Sequence, residues 1–169
     1  DDIGHNAGLM IHPDMFMEII PHRMKILIAP AKAHGKKVLM HTDGKMDNNL
    51  PIQYDVGIDV AHPIDPESNE LPEVKKKWAG KMALIGNVPT VLLAYGSKEE
   101  IEEKVREYCV NVGPGGGWVL GSSSSLIDGI PPENFVCVIR GAQQSGRYGA
   151  VGEAGEFEPA WGAGVRVAL

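Results

Sequence analysis

The stretch His34-Gly35-Lys36-Lys37-Val38-Leu39-Met40-His41-Thr42-Asp43-Gly44 carries the reading of the fold. A glycine stop and two lysines lead into an apolar run, which breaks on a histidine, a threonine and an aspartate before the next glycine. Lys37 to His41 read as a short buried strand, because no polar alternation runs through Val38, Leu39 and Met40. The unit recurs at Ile58-Asp59-Val60-Ala61, at Met82-Ala83-Leu84-Ile85 and at Trp118-Val119-Leu120.

Helical patterns fill the intervals. Asp47 to Tyr54 is a weak helix closed by Gly57, and Pro72 occupies a first helical turn that runs to Trp78 and stops at Gly80. Ser97 and Glu100 form a capping box for Lys98 to about Asn111, and Pro131-Pro132-Glu133-Asn134 opens a last helix through about Ala142. Upstream, Pro13 starts a stretch with Phe16, Ile19, Ile20, Met24, Leu27 and Ile28 as apolar positions, ending near Gly35. Pro21 and Pro30 interrupt it, which predicts two shorter helices or a kinked one. Short apolar strands separated by helices give an α/β class with a parallel sheet buried on both faces. Four strands are evident, with the end of a fifth expected ahead of Asp1, whereas a closed parallel barrel has eight.

Composition excludes several functions. The chain has 169 residues and a formal charge of −6, so nucleic acid is not expected as a partner; the one tight basic run, Lys75-Lys76-Lys77, reads as a solvated helix face. No apolar run has the ~18 residues of a membrane span. Two cysteines, Cys109 and Cys137, sit in helix-like stretches without metal-ligand spacing, which favours a reducing, cytoplasmic setting. The domain is expected over 1–143. The Gly-rich remainder, 144–169, is expected to be poorly ordered or non-native. The opening Asp1-Asp2 lacks a methionine or apolar leader, as in a chain that has lost a leader or starts inside a longer gene product.

In parallel α/β architecture, functional groups collect in the loops that follow strands. That filter selects Asp1 and Asp2; His41, Thr42 and Asp43; His62, Pro63 and Asp65; Gly86 and Asn87; and Ser122 to Ser125. His41 and Asp43 suit a divalent metal or a proton-transfer pair, since Gly44 lets the backbone turn both toward one pocket. The same residues also suit a strand cap and an Asx-turn. His62 belongs to the pocket wall, and Ser122 and Ser123 offer hydroxyls and amides to an acidic substrate. Gly113-Pro114-Gly115-Gly116-Gly117 precedes a strand, which makes it a helix-to-strand turn and not a phosphate loop. His5, His12, His22 and His34 fall mostly on helices.

Taken in order, Asp1-Asp2-Ile3-Gly4, Gly8-Leu9-Met10-Ile11-His12-Pro13, His34 to Gly44, Gly57-Ile58-Asp59, Gly86-Asn87, Gly115-Gly116-Gly117 and Pro131-Pro132-Glu133-Asn134 resemble the C-terminal half of the uroporphyrinogen decarboxylase superfamily over residues 1 to about 143. The resemblance implies a partial (β/α)8 barrel, roughly its C-terminal four to five βα units. The rest would come from a missing N-terminal half or from another copy in a homo-oligomer. It also implies one of two chemistries. One branch holds cofactor-free porphyrinogen decarboxylases. The other holds zinc-dependent methyltransferases that move methyl groups between corrinoid proteins and thiols, and there a strand ends in His-X-Cys with a second Cys near the last strand.

Here His41 matches that pattern, Asp43 replaces the first thiolate and Ser122 to Ser125 stand in place of the second. What remains is a harder site of His41, Asp43 and Asp2 for zinc or another divalent metal, with oxygen replacing sulfur. Decarboxylases carry Gly-His-Gly after the last strand, and Gly121 to Ser125 contains no histidine. The expectation is therefore a methyltransferase-like enzyme acting on a small molecule, with a corrinoid protein or a methoxylated compound as donor. Its catalytic residues would be His41, Asp43 and Asp2, with substrate contacts from His62, Asn87, Ser122 and Ser123. The alternatives are a porphyrinogen-type decarboxylase without metal, in which Asp2 and Asp43 hold NH groups or protonate the departing carbon, and a fragment or assembly subunit inactive alone.

Overall fold

The computed structural model describes residues 2–146, so the expectation for the tail beyond Gly146 lies outside the described residues. The chain opens with a small antiparallel hairpin, β1 (Gly4–His5) and β2 (Gly8–Leu9), followed by α1 (Pro13–Ala33). Three strand–helix units come next: β3 (Leu39–His41) with α2 (Asn49–Val56), β4 (Val60–His62) with α3 (Leu71–Trp78), and β5 (Ala83–Ile85) with α4 (Thr90–Tyr95) and α5 (Lys98–Asn111). Strand β6 (Trp118–Val119) and α6 (Pro132–Ser145) close the sequence of elements.

The sheet order is β3-β4-β5-β6, all parallel. Sequential order with right-handed crossovers places every connecting helix on one side, so the sheet curls as a barrel segment instead of being covered on both faces. The main core lies between that sheet and its helices, with Leu50, Ala61, Ile64, Leu84, Leu93, Ile101 and Val105 fully buried. Helices α5 and α6 approach closely at Gly141, where an added Cβ would stand 2.9 Å from Val105 Cγ1. Asn134 of α6 donates to the Leu93 carbonyl at 2.9 Å, joining α6 to α4.

Several expectations are corrected. Pro21 and Pro30 lie inside one helix, α1, which excludes the pair of shorter helices and leaves the single interrupted helix of the two alternatives. The Lys37–His41 run is not a buried strand: Leu39 is 52% exposed, because β3 forms an edge of the sheet among the described residues. Helix α6 continues to Ser145, beyond the end expected at about Ala142. The hairpin β1–β2 and the short α4, bounded by Pro89 and Gly96, had no periodic signal to reveal them. The capping box is present as read: Ser97 accepts from the Glu100 amide, and Glu100 accepts from the Ser97 amide. No helix among the described residues is long and apolar enough to cross a membrane.

Asp59, just before β4, ties the opposite end of the sheet to α1. Its carboxylate accepts from Lys32 of α1, from Lys37 at 3.4 Å and from the Val38 amide at 2.8 Å. Burial alone would raise the Asp59 pKa, but the Lys32 hydrogen bond, the Val38 amide and the two lysine charges outweigh it and hold the carboxyl below its ordinary value.

Candidate functional site

The site forms where β3, β4 and β6 end. The β3–β4 register sets His41 directly opposite His62, and their Nδ1 atoms stand 2.8 Å apart with ring centroids separated by 4.9 Å. Strand alternation puts His41 and Asp43 on the same side and Thr42 on the other. His41 Nε2 accordingly lies 3.8 Å from Asp43 Oδ1, with both side chains 41% exposed, while Thr42 is fully buried.

Thr42 anchors the N-terminal segment across this strand end. Its Oγ1 accepts from the Ile3 amide at 3.0 Å and from the Gly4 amide at 3.3 Å, and its own amide donates to the His62 carbonyl at 2.8 Å. Gly44 turns at φ 96° against the His5 backbone, and the Lys45 amide donates to the His5 carbonyl at 3.2 Å. So held, Asp2 reaches the site: its Oδ1 accepts from the Asp43 amide at 3.0 Å. Ligand atoms of Asp2, His41 and Asp43 lie within 4.8 Å of one another. Two donors on one tetrahedral ion at ~2.1 Å each stand roughly 3.4 Å apart, so small side-chain rotations suffice for these three to meet on one cation. One imidazole and two carboxylates form a donor set suited to a divalent ion of borderline to hard character.

His62 is half-buried. Burial and then the neighbouring His41 ring push its pKa below the usual imidazole value, against a backbone hydrogen bond with Ser122 and the charge of Asp43.

Beside Asp43 opens a cleft of about 240 Å³ whose wall includes Asn6, Asp65, Glu67, Thr90 and Ser124, with no lysine or arginine among the described lining residues. A larger groove of about 600 Å³ lies between α2 and α3, over Met46, Leu50 and Trp78, and holds none of the strand-end histidines.

The structure brings together Asp2, His41, Asp43 and His62. It places the other expected substrate contacts differently. Asn87 is 1% exposed and gives its amide to the Ile64 carbonyl, so it braces the loop after β4. The Ser123 hydroxyl accepts from the Thr90 amide at 3.1 Å, and the Ser122 hydroxyl donates to the Ser124 carbonyl at 2.6 Å. Ser122 is thus engaged within its own loop and Ser123 with the start of α4, while Ser123 and Ser124 also border the cleft. His5 lies on β1, and His12 caps α1, its Nδ1 accepting from the Asp14 amide at 3.3 Å. Thr42, selected in the sequence beside His41 and Asp43 but given no role of its own there, is the residue that anchors the Asp2 segment. Its signal was the alternation itself, which sends the residue between His41 and Asp43 inward.

The sequence profile of the family described as uroporphyrinogen decarboxylase (URO-D) matches residues 2–144. The chain belongs to the uroporphyrinogen decarboxylase family. Among solved structures, this URO-D family chain is similar to a methyltransferase from Methanosarcina mazei, with a TM-score of 0.65 and 18% identity over 79% of this chain and 38% of that one. At that identity the likeness is one of fold, and it identifies the four parallel βα units as part of a TIM barrel. The URO-D chain thus spans less than half the length of that methyltransferase. Among curated proteins, none matches it.

Proposed function

We propose that the chain forms the C-terminal part of a methyltransferase-like URO-D enzyme whose centre is a divalent cation site at Asp2, His41 and Asp43. The observation that carries this reading is the convergence of those three side chains at the mouth of the sheet, from segments some forty residues apart in sequence. Bound there, the ion supplies Lewis acidity that lowers the pKa of a small acceptor. The residues themselves do the positioning. Thr42 and Gly44 hold the Asp2 segment down, and the cleft beside Asp43 receives the substrate. A corrinoid protein or a methoxylated compound is the proposed methyl donor, and the reducing interior of the cell is the proposed setting.

Paired carboxylates also favour a second reading, in which Asp2 and Asp43 accept NH groups of a porphyrinogen during decarboxylation. The cleft wall weighs against it. Asp43, Asp65 and Glu67 would repel a polycarboxylate, and none of the described lining residues is a lysine or arginine to compensate.

Metal analysis of the intact protein and of His41→Ala, alongside methyl transfer from methylcobalamin, tests the first reading. Metal and transfer activity should fall together in the variant, and equal metal content in both proteins refutes the cation site. Consumption of uroporphyrinogen that a chelator leaves unchanged establishes the decarboxylase instead.

Both outer edges of the sheet are unpaired among the described residues, and we propose that an N-terminal half-barrel or a second copy covers them. Sedimentation checks this: a monomer of this chain with a cooperative melt contradicts it.

A further inference from the structure

We infer that Asn69 is a positioning residue: its side-chain amide latches the turn after Asp43 to the loop that carries Asp65, and so fixes both Asp43 and the width of the cleft beside it. The inference rests on the cation-site reading for its purpose but not for its geometry. Asn69 Oδ1 accepts from the Met46 amide at 2.8 Å, and Nδ2 donates to the carbonyls of Gly44 and Asp65, each at 2.9 Å. A carboxamide offers two N–H donors and an acceptor oxygen, and all three functions are used. Turning the amide over would set Nδ2 against the Met46 N–H and Oδ1 against two carbonyls, so the network admits one orientation.

The bonds run away from the helix that Asn69 precedes. It stands next to Glu70, the N-cap of α3, where a short polar side chain ordinarily serves the first turn. Helix α3 has no side-chain cap bond, and Asn69 instead reaches back 23 and 25 residues to the loop after β3. The Asp65 loop is already tied within itself. The Asp65 carboxylate accepts from the Glu67 amide at 3.0 Å and the Ser68 hydroxyl at 3.4 Å, and the Asp65 carbonyl also accepts from the Ser68 amide at 3.2 Å. Asn69 therefore joins a preformed loop to a turn. The Thr42 amide holds the strand end before Asp43, and Asn69 holds Gly44 and Met46 after it, so the Asp43 backbone is fixed from both sides. Asp43, Asp65 and Glu67 all line the cleft, which sets the latch behind both of the segments that form this part of its wall.

The test compares the intact protein with Asn69→Leu, which keeps the size of the side chain and removes its polar atoms. Co²⁺ affinity should fall by about 10–100-fold, the usual effect of losing a group that orients a ligand, and the visible spectrum of the bound ion should change. Asn69→Gln, with the same amide on a longer stem, should recover part of the affinity. Ser68→Ala removes one bond inside the Asp65 loop and should leave affinity and spectrum as they were.

Asn69→Leu that binds Co²⁺ with the parent's affinity and spectrum overturns the inference, as does an equal loss in Ser68→Ala. If Asn69→Leu does not fold, the Asn69 side-chain amide of the unmodified protein decides: protection from hydrogen exchange upholds the latch, and exchange as fast as at the exposed Asn6 refutes it. An unmodified protein that takes up no Co²⁺ refutes the cation site. The latch is then judged on the Asp43 and Gly44 amide resonances, which should move in Asn69→Leu and refute it if they stay.

Discussion

Replacing Gly44 by alanine should release the N-terminal segment from the site. A Cβ at this position would stand 2.3 Å from both the carbonyl carbon and the oxygen of His5 and 2.6 Å from its Cα, and all three are backbone atoms that cannot rotate aside. Carbon atoms in contact prefer about 3.5–4.0 Å, so the segment must move by more than ~1 Å. That displacement breaks the Ile3 and Gly4 hydrogen bonds to Thr42 and the Lys45 bond to His5. At about 1 kcal/mol net for each bond, the loss is roughly 3 kcal/mol. The positive φ of 96° adds strain of about 1–3 kcal/mol for any residue with a Cβ.

Gly129 separates the two effects, because its φ is 98° and nothing lies within 4 Å of its would-be Cβ. Gly129→Ala should therefore show the strain alone. Urea denaturation of the intact protein measures both variants, with hydrogen exchange at Ile3, Gly4 and Lys45 as the local readout. Gly44→Ala should be the less stable by about 3 kcal/mol, with those amides unprotected. Equal stability within about 0.5 kcal/mol and retained protection would refute the clasp.

Thr42→Val keeps the shape but leaves the Ile3 and Gly4 amides without their acceptor, and should cost about 1–3 kcal/mol in urea titrations, whereas Thr42→Ser should stay close to the parent. Asp59 is held below the pKa it has in the unfolded chain, so the stability it contributes is fully present above that unfolded value and is lost as pH falls through the folded one. Asp59→Asn should accordingly flatten the acid limb of a stability–pH curve while lowering stability at neutral pH. Burial, with the charges of Glu107 and Glu70, pushes the Tyr108 phenol up to about 12, and a spectrophotometric titration of Tyr108→Phe should lack the latest tyrosine step. Gly141→Ala should loosen the contact of α5 with α6, seen as faster exchange of their amides, because its new methyl meets Val105 at 2.9 Å.

What local signals encode was legible in the sequence. Unalternating runs such as Met82 to Ile85 marked the strands, Gly57 and Gly80 marked the helix stops, and Ser97 with Glu100 marked the best-capped helix. The placement of His41 and Asp43 at a strand end followed from the same periodicity. Register and burial were not legible, since each depends on partners distant in the chain. The meeting of His41 with His62 follows from strand pairing across 21 residues, and the approach of Asp2 to Asp43 from a clasp across 41. Asn87 and Ser123 follow strands as the substrate-contact reading requires, yet packing turns their polar atoms onto the Ile64 carbonyl and the Thr90 amide. Periodicity tells a residue which face of its own element it occupies; only the assembled sheet and its loops determine which group stands opposite.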